Sequence, residues 1–446
     1  MIQFIRPYMM PRTSLPRSKA RRAGAGMRPK QCTAVLAALL SLLFLSSCSG
    51  DKDKPLIIWT DSVDFASYVE LFNATHKDMK AVLVYKSAPA SALPPAKDEL
   101  PPDLVIGSWL KNSTTRKNFT PLDYMLREQR ISRPDFYAPV FDYGNINEKQ
   151  YLLPVCFNLP AMVFSRRNEN LLEDSHFVNP EQVRSTAASF NEVDAGGVYT
   201  TMGYAPSWDE EFMYAVTKLY GAGYREKGSN FSWNAAGMRA SMDFLREWTQ
   251  SSNTDTASEQ NFQFKYLYVP KYKQVSTGRC LFAFMSSGDF FSLTDEQSSP
   301  LTFRWLEQDG KIIVQDEIVT MGLYKRARNV RKAEKFMGWF TKEETQRDLI
   351  LRTKNMKLST ESFGIAGGFS ALKSVNEKIY PTYHRQLLGN LPEEEYLVLP
   401  NILPPRWPGL KQRVILPCLK ESTSTESYAQ AASLEDRIAD WTKQYF

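Results

Sequence analysis

Histidine and cysteine are scarce in this 446-residue chain: the three histidines, His76, His176 and His384, lie far apart, and none of the five cysteines forms a CxxC pair. Zinc sites draw on His and Cys ligands at short spacings, so this composition speaks against one. A GxxxxGK phosphate loop, an HExxH helix, a GxSxG nucleophile turn and a dinucleotide-binding glycine pattern are also missing, which removes the enzyme classes built on them. A catalytic pair of carboxylates stays open because Asp and Glu number 49, yet no particular pair stands out as the acid and base of a glycosidase. Nothing repeats internally. The apolar run at 33–45 covers 13 residues, short of the roughly 20 that cross a bilayer.

The excess of basic charge is confined to the start of the chain. Lys and Arg total 55 against 49 Asp and Glu, a formal net of +6. Eight of the basic residues (Arg6, Arg12, Arg17, Lys19, Arg21, Arg22, Arg28 and Lys30) and no acidic one precede Cys48. From Cys48 onward 47 basic side chains stand against 49 acidic ones, a balance of −2, which gives no ground for a nucleic-acid partner.

Arg28 and Lys30 are followed by the apolar run and then by Leu45-Ser46-Ser47-Cys48. A basic start, a short apolar core and small residues ending in Cys make the pattern of a bacterial lipoprotein leader, cut before a cysteine that then carries acyl chains. The expectation is a leader over 1–47, lipid on Cys48, and a polar tether over 48–54. The protein would then sit in the cell envelope, held to the membrane and facing periplasm or exterior. Met27 opens a conventional signal peptide by itself, so translation is expected to start there. Arg21-Arg22 stands too far from the apolar core for a twin-arginine signal. Cys156, Cys280 and Cys418 lie in apolar, strand-like contexts and read as buried thiols, with at most one disulfide among them.

The roughly 390 residues after the tether suffice for two domains. Residues 56–60 form an apolar run of strand length, followed by Phe65, Tyr68, Val69 and Phe72 at helical spacing. Residues 81–85 and 103–107 read as further strands on either side of a Pro-rich loop. This order predicts an α/β unit on a buried parallel sheet. Ligands of such sheets bind beyond the carboxyl ends of the strands, here Trp59, Thr60 and Asp61, then Gly107, Ser108 and Trp109. The extended run at 151–164 contains Pro154 and Pro160; proline removes a ladder donor, so an edge or crossing segment is expected rather than a central strand. Ser207 with Glu210 and Thr341 with Glu344 read as capping boxes. Ala333, Phe336, Met337 and Phe340 form a core stripe behind the cap Asn329. Residues 238–248 read as helix, 421–427 as a polar loop and 433–445 as the last helix. Phe, Trp and Tyr make up 13% of the chain, so either the core is rich in rings or some rings line a surface that binds something flat.

In their order and spacing these pieces resemble an extracellular solute-binding protein of ABC transporters, in the sugar-binding group that includes maltose-binding protein. The resemblance rests on the cysteine-ended leader, the Trp59-Thr60 strand end, Pro102-Asp103-Leu104-Val105-Ile106-Gly107, the 151–164 run in place of the family's first crossing between lobes, and segments 278–290, 321–340 and 363–368. It runs from Leu56 to the C-terminus. It implies an α/β, two-lobed periplasmic-binding-protein fold with discontinuous lobes and a ligand cleft between them. Lobe one is expected over 55–160 with 318–362, and lobe two over 161–317 with 363–446.

The same resemblance implies a monomeric, non-enzymatic substrate-binding subunit, without cofactor or metal. It would capture a mono- or oligosaccharide by lobe closure and deliver it to a membrane permease. A sugar presents apolar C–H faces and a rim of hydroxyls, suited to flat rings flanked by polar groups. The resemblance points to Trp59, Trp109, Tyr204, Trp208, Phe290 and Trp407 as rings, and to Asp61, Ser108, Asn158, Asp209, Ser287 and Asp289 as polar contacts. After Trp109 the chain runs Leu110-Lys111-Asn112-Ser113, without the acidic and basic pair of maltose-type members, and Asp289 stands where smaller residues are usual. Maltose itself is therefore not the expected ligand. Three other readings fit the same residues: a surface lipoprotein keeping the fold as adhesin or sensor, an exported glycan-active enzyme, and a receptor for a non-sugar solute such as a polyamine or peptide.

Overall fold

Every residue of the first strand, β1 (Leu56–Thr60), is buried. Its side chains alternate between two apolar layers. Leu56 and Ile58 join the main core, while Ile57 and Trp59 join a smaller cluster with Val105, Leu110, Phe119 and Leu152. A strand covered on both faces reads as one continuous apolar run for this reason. The computed structural model describes residues 54–228, 230–355, 362–424 and 433–445. The expected leader, its Met27 start, lipidated Cys48 and the tether up to residue 53 lie outside the described residues.

The chain runs through β1, α1 (Phe65–Thr75), β2 (Ala81–Tyr85), β3 (Leu104–Gly107), β4 (Leu152–Phe157), β5 (Pro160–Ser165), β6 (Phe177–Val178), α2 (Glu210–Leu219), α3 (Ala235–Ser252), α4 (Thr256–Lys265), β7 (Phe282–Ser286), β8 (Leu301–Leu306), β9 (Val319–Leu323), α5 (Val330–Phe340), α6 (Glu343–Asn355) and β10 (Phe369–Ser370). Helix α1 buries Phe65, Tyr68, Val69 and Phe72, the stripe its spacing predicts. Six strands form one sheet in the order β10-β4-β9-β3-β1-β2, and four form another in the order β7-β5-β8-β6. β1 pairs in parallel with β2 and β3, but β9 runs antiparallel to β3 and β4, so the first sheet is mixed rather than wholly parallel. Each sheet is the core of one lobe.

Between β4 and β5 stand only Asn158 and Leu159, yet the two strands belong to different sheets. The 151–164 run does cross, but neither strand is at an edge. Pro154 is tolerated because the β9 register shifts between Val319, opposite Cys156, and Thr320, opposite Pro154. Pro160 is the first residue of β5, where proline is least disruptive. A second crossing, 314–318, leads into β9. The segment from 363, expected in lobe two, first returns to the six-stranded sheet as β10. Only later does Asn390 reach the other sheet, accepting from Trp305 Nε1 at 2.8 Å.

Three expected caps are placed differently. Asp209, not Ser207, caps α2, accepting from the backbone of Glu211 and Phe212, while Ser207 Oγ donates to the Glu259 carboxylate. Thr341 Oγ1 donates back to Met337 O at 3.0 Å and so closes α5 instead of opening α6. Asn329 precedes α5 without capping it through its side chain. Asp103, from the Pro102-Asp103 turn, holds the two residues before the helix: its Oδ1 accepts from Arg328 N at 2.7 Å and Asn329 N at 2.8 Å, its Oδ2 from Ile57 N at 2.9 Å and Asn329 Nδ2 at 3.1 Å. One buried carboxylate thereby ties β1, β3 and the start of α5 together.

Cys156, Cys280 and Cys418 are buried and unpaired. Cys418 lies in the helix Leu416–Ser422 rather than in a strand, so the expected loop at 421–427 begins as helix; residues 425–432 are outside the described residues, and the last helix is Leu434–Tyr445. Among the described residues no helix is long and apolar enough to cross a membrane, and no group of three or more His, Cys, Asp or Glu could hold a metal ion.

Candidate functional site

The crossing segments meet at Asn158. Its backbone O accepts from Gln315 N at 3.0 Å. Its side chain accepts from Ser287 Oγ at 2.7 Å and donates to Gly367 O at 3.0 Å. Ser287 is fully buried and also accepts from Leu159 N at 3.0 Å. Contact here is close enough to require glycine: a Cβ on Gly288 would meet Gly367 O at 2.6 Å, and one on Gly368 would meet Phe157 O at 2.7 Å. Asn158 and Ser287 thus spend their hydrogen bonds on fastening the crossing.

On the lobe-two side of the crossing, Glu211, Tyr214 and Lys218 fall at i, i+3 and i+7 of α2 and share one helix face. They surround Asp316, from the second crossing segment, whose side chain is 1% exposed. Lys218 Nζ donates to Asp316 Oδ1 at 2.7 Å and to Val314 O at 2.9 Å. Asp316 Oδ2 accepts from the Tyr214 hydroxyl and, at 3.2 Å, from Trp407 Nε1. Lys411, four residues beyond Trp407, donates to Glu211 Oε2 at 2.6 Å and stands 4.2 Å from the centre of the Tyr214 ring. Burial pushes the Asp316 carboxyl up, but the adjacent ammonium groups of Lys218 and Lys411 outweigh it and hold the carboxyl below its ordinary value. For Lys411 burial acts downward, and the carboxylates of Glu317, Glu211 and Asp316 reverse it, raising the ammonium above its ordinary value.

Lobe one presents the ends of β1 and β3. Asp61 lies across Gly107, its Oδ1 3.1 Å from where a Cβ would stand, so a larger residue there would displace it by a few tenths of an ångström. Burial raises the Asp61 carboxyl. Trp109 adopts a left-handed conformation at φ 68°, held by Asn112, which donates to Trp109 O at 2.8 Å and accepts from Thr115 N at 3.0 Å. Lys111 Nζ stands 4.4 Å from the centre of the Tyr143 ring; burial, with Arg116 nearby, pushes its ammonium down to about 8. The Tyr143 hydroxyl is raised by burial and by the carboxylates of Asp316 and Glu317 across the junction.

The two sides already touch. Ser108 Oγ donates to Glu317 O at 3.2 Å. Ser113 donates its backbone N–H to Glu226 Oε2 at 3.2 Å and its hydroxyl to the same carboxylate. The cavity lined by Pro160, Tyr214, Lys218, Asp316, Glu317 and Lys411 measures about 20 Å³, room for about one water.

The sequence candidates divide accordingly. Asp61, Ser108 and Trp109 lie at the junction, and Asn158 and Ser287 at the crossing. Trp407 reaches the junction with its indole N–H only; the ring is fully buried and packs on Tyr224 and Phe231 with centroids 5.5 and 5.3 Å away. Trp59 is also fully buried, in the smaller lobe-one cluster. Tyr204 packs inside lobe two against Phe212 at 4.9 Å and Trp248 at 5.9 Å. Trp208 stacks on Phe262 at 5.4 Å and donates to Glu259 O. Phe290 packs on Phe291 and Phe303. Asp209 is held by its cap and by Lys271, and exposed Asp289 accepts from Ser286 Oγ at 2.7 Å. Tyr143, Glu211, Tyr214, Lys218, Asp316 and Lys411 were not singled out in the sequence. The one local signal was a polar stripe at helical spacing in α2, amid Phe212, Met213, Ala215 and Val216.

No protein-family model matches the sequence, and no curated protein matches it. Solved structures do match in fold. The sugar-binding protein MalE from Xanthomonas citri is 12% identical, with a TM-score of 0.60 over 88% of this chain and 96% of that one. CpMnBP1, solved with mannotriose bound, is 13% identical, with a TM-score of 0.58 over 87% and 99%. The galacto-N-biose/lacto-N-biose I-binding protein of the ABC transporter from Bifidobacterium longum, solved with lacto-N-biose, is 14% identical, with a TM-score of 0.58 over 88% and 97%. The chain has the two-lobed α/β fold that these binding proteins share.

Proposed function

We propose that the chain is a binding protein for a carbohydrate, taken between the lobes at the junction of Asp61, Ser108, Trp109, Lys111 and Tyr143 with Glu211, Tyr214, Lys218, Asp316 and Lys411. The observation that carries the reading is the make-up of that junction. Donors and acceptors of both charge signs come from both lobes, with Lys111 over the Tyr143 ring and Lys218 and Lys411 over that of Tyr214, the mixture a hydroxyl-rimmed ring requires. The lobes touch through Ser108 on Glu317 and Ser113 on Glu226, so a sugar would enter as they part. Parting would break the Ser108–Glu317 and Ser113–Glu226 contacts while the crossing at Asn158 holds. Reclosure around the ligand would then give the form handed to a membrane permease. Lobe one comprises 55–160 with 318–362, extended by β10, and lobe two 161–317 with most of the remainder. Lipid on Cys48 would tether the whole to the membrane.

The test is thermal unfolding of the chain from Lys54 with manno-oligosaccharides, maltodextrins, lacto-N-biose, polyamines and peptides. A ligand at about 100 times its Kd stabilises by about 2.7 kcal/mol, a rise of a few degrees. A rise with one sugar class supports the reading; a rise with polyamines or peptides alone replaces the sugar. No rise with any of them defeats the receptor reading.

A further inference from the structure

Beyond the end of α4 the backbone keeps turning helically, with Leu267 N donating to Phe264 O at 3.3 Å and Val269 N to Tyr266 O at 2.9 Å. Phe264, Leu267 and Tyr268 therefore fall at i, i+3 and i+4 and share one face. They are 77%, 56% and 95% exposed. Three large apolar side chains within five residues, none covered, set this turn apart from exposed residues such as Tyr85, Leu171 and Leu388, which stand singly. On the other side of the same helix Phe262 is buried against Trp208, so the turn is firmly seated. A seated, uncovered apolar face signals an interaction surface.

The stretch of sequence that carries it bears charge of one sign. Between Gln260 and Gly288 the sequence holds Lys265, Lys271, Lys273 and Arg279 and no carboxylate. All four are exposed. Lys271 is paired with Asp209. Lys265 and Arg279 stand 5.5 and 5.6 Å from the centre of the Tyr266 ring. Acidic side chains near it belong to other elements: the short helix Asp295–Ser298 packs on Lys271–Ser276, and α3, with Asp243 and Glu247, packs on α4. Protein–protein interfaces deplete lysine and keep charge from their centre. Here Lys265 stands between Phe264 and Leu267. Rings and aliphatic side chains interleaved with cations match instead the interface of an anionic bilayer, where the apolar groups enter the headgroup layer and the cations meet lipid phosphates.

We propose that the face of Phe264, Leu267 and Tyr268 seats on an anionic membrane surface, with Lys265, Lys273 and Arg279 against the headgroups. This contact is separate from the ligand junction and from any lipid on Cys48. The test is co-sedimentation of the chain from Lys54, which forms one compact unit, with vesicles of phosphatidylcholine alone or mixed with phosphatidylglycerol. Binding to the anionic vesicles only, weakened by salt, is expected. Each cation near the surface contributes about fivefold, so Lys265→Gln with Lys273→Gln should weaken partitioning more than tenfold. Phe264→Ser, Leu267→Ser and Tyr268→Ser together should abolish it without lowering Tm, since these side chains are exposed. No binding to anionic vesicles, or equal binding by the triple variant, overturns the proposal. So does concentration-dependent self-association that the triple variant loses, because the face would then be a contact between copies.

Discussion

Lys218→Met isolates the charge pair on which the junction is built. Asp316 and Lys218 have side chains 1% and 12% exposed and approach to 2.7 Å, so neither water nor salt screens them well. Removing one partner of a buried pair costs about 3–5 kcal/mol, because the other charge is left in a medium that solvates it poorly. Tyr214 and Trp407 still donate to Asp316 Oδ2 in the variant, and Lys411 stays close, so the lower end, about 3 kcal/mol, is expected. Asp316→Asn removes the charge while keeping an acceptor for both donors. In a double-mutant cycle read by urea unfolding at neutral pH, the two changes together should cost about 2 kcal/mol less than their sum. The pH dependence follows from the direction of the Asp316 shift. Its carboxyl is held below the ordinary value, so its contribution is complete above that value and is lost as pH falls through the lowered one. Lys218→Met should bring acid unfolding on at higher pH. A single-variant cost under about 1 kcal/mol with no coupling would refute the reasoning.

His384 packs against Phe291 and Phe363, with ring centroids 5.2 and 5.3 Å away, and burial pushes its imidazole down from 6.5 to about 4. The unfolded chain takes up the proton below its ordinary value and the folded chain does not, so stability falls between 6.5 and about 4. His384→Phe should remove about 2 kcal/mol of that loss, allowing for partial exposure; parallel wild-type and variant pH profiles from urea midpoints would count against it. Asp103→Ala removes the acceptor of three backbone N–H groups, of Ile57, Arg328 and Asn329, and should cost at least about 3 kcal/mol, with Asp103→Asn in between; denaturant titration decides. Gly288→Ala forces a Cβ to 2.6 Å from Gly367 O and should cost about 1–3 kcal/mol in thermal unfolding, whereas an unchanged Tm would mean that the crossing gives way easily.

The elements of lobe one were legible because local chemistry decides them. The apolar run of β1 needs a sheet covered on both faces, and the Phe65, Tyr68, Val69 and Phe72 stripe needs a core. Caps were less legible, since an Asp at a strand entrance can hold the residues before a helix more than 200 residues away, as Asp103 does for α5. Aromatic content posed the hardest choice between core and surface. Trp407, Tyr224 and Phe231 resolve it toward core, since they pack on one another inside lobe two. The polar half of the junction was hidden for a related reason. Glu211, Lys218, Asp316 and Lys411 read singly as solvated charges. Only the meeting of α2, the second crossing and the turn after Trp407 makes Lys218, Asp316 and Lys411 a buried network with Glu211 at its rim, and no local pattern encodes that meeting.

Titration calorimetry of the chain from Lys54 with an oligosaccharide that raises its Tm tests the central claim most directly. Saturable one-to-one binding is expected, weakened at least tenfold by Trp109→Ala and by Lys111→Met, both at the lobe-one side of the junction and neither fully buried. Undiminished affinity in both variants would place the sugar elsewhere and contradict the account.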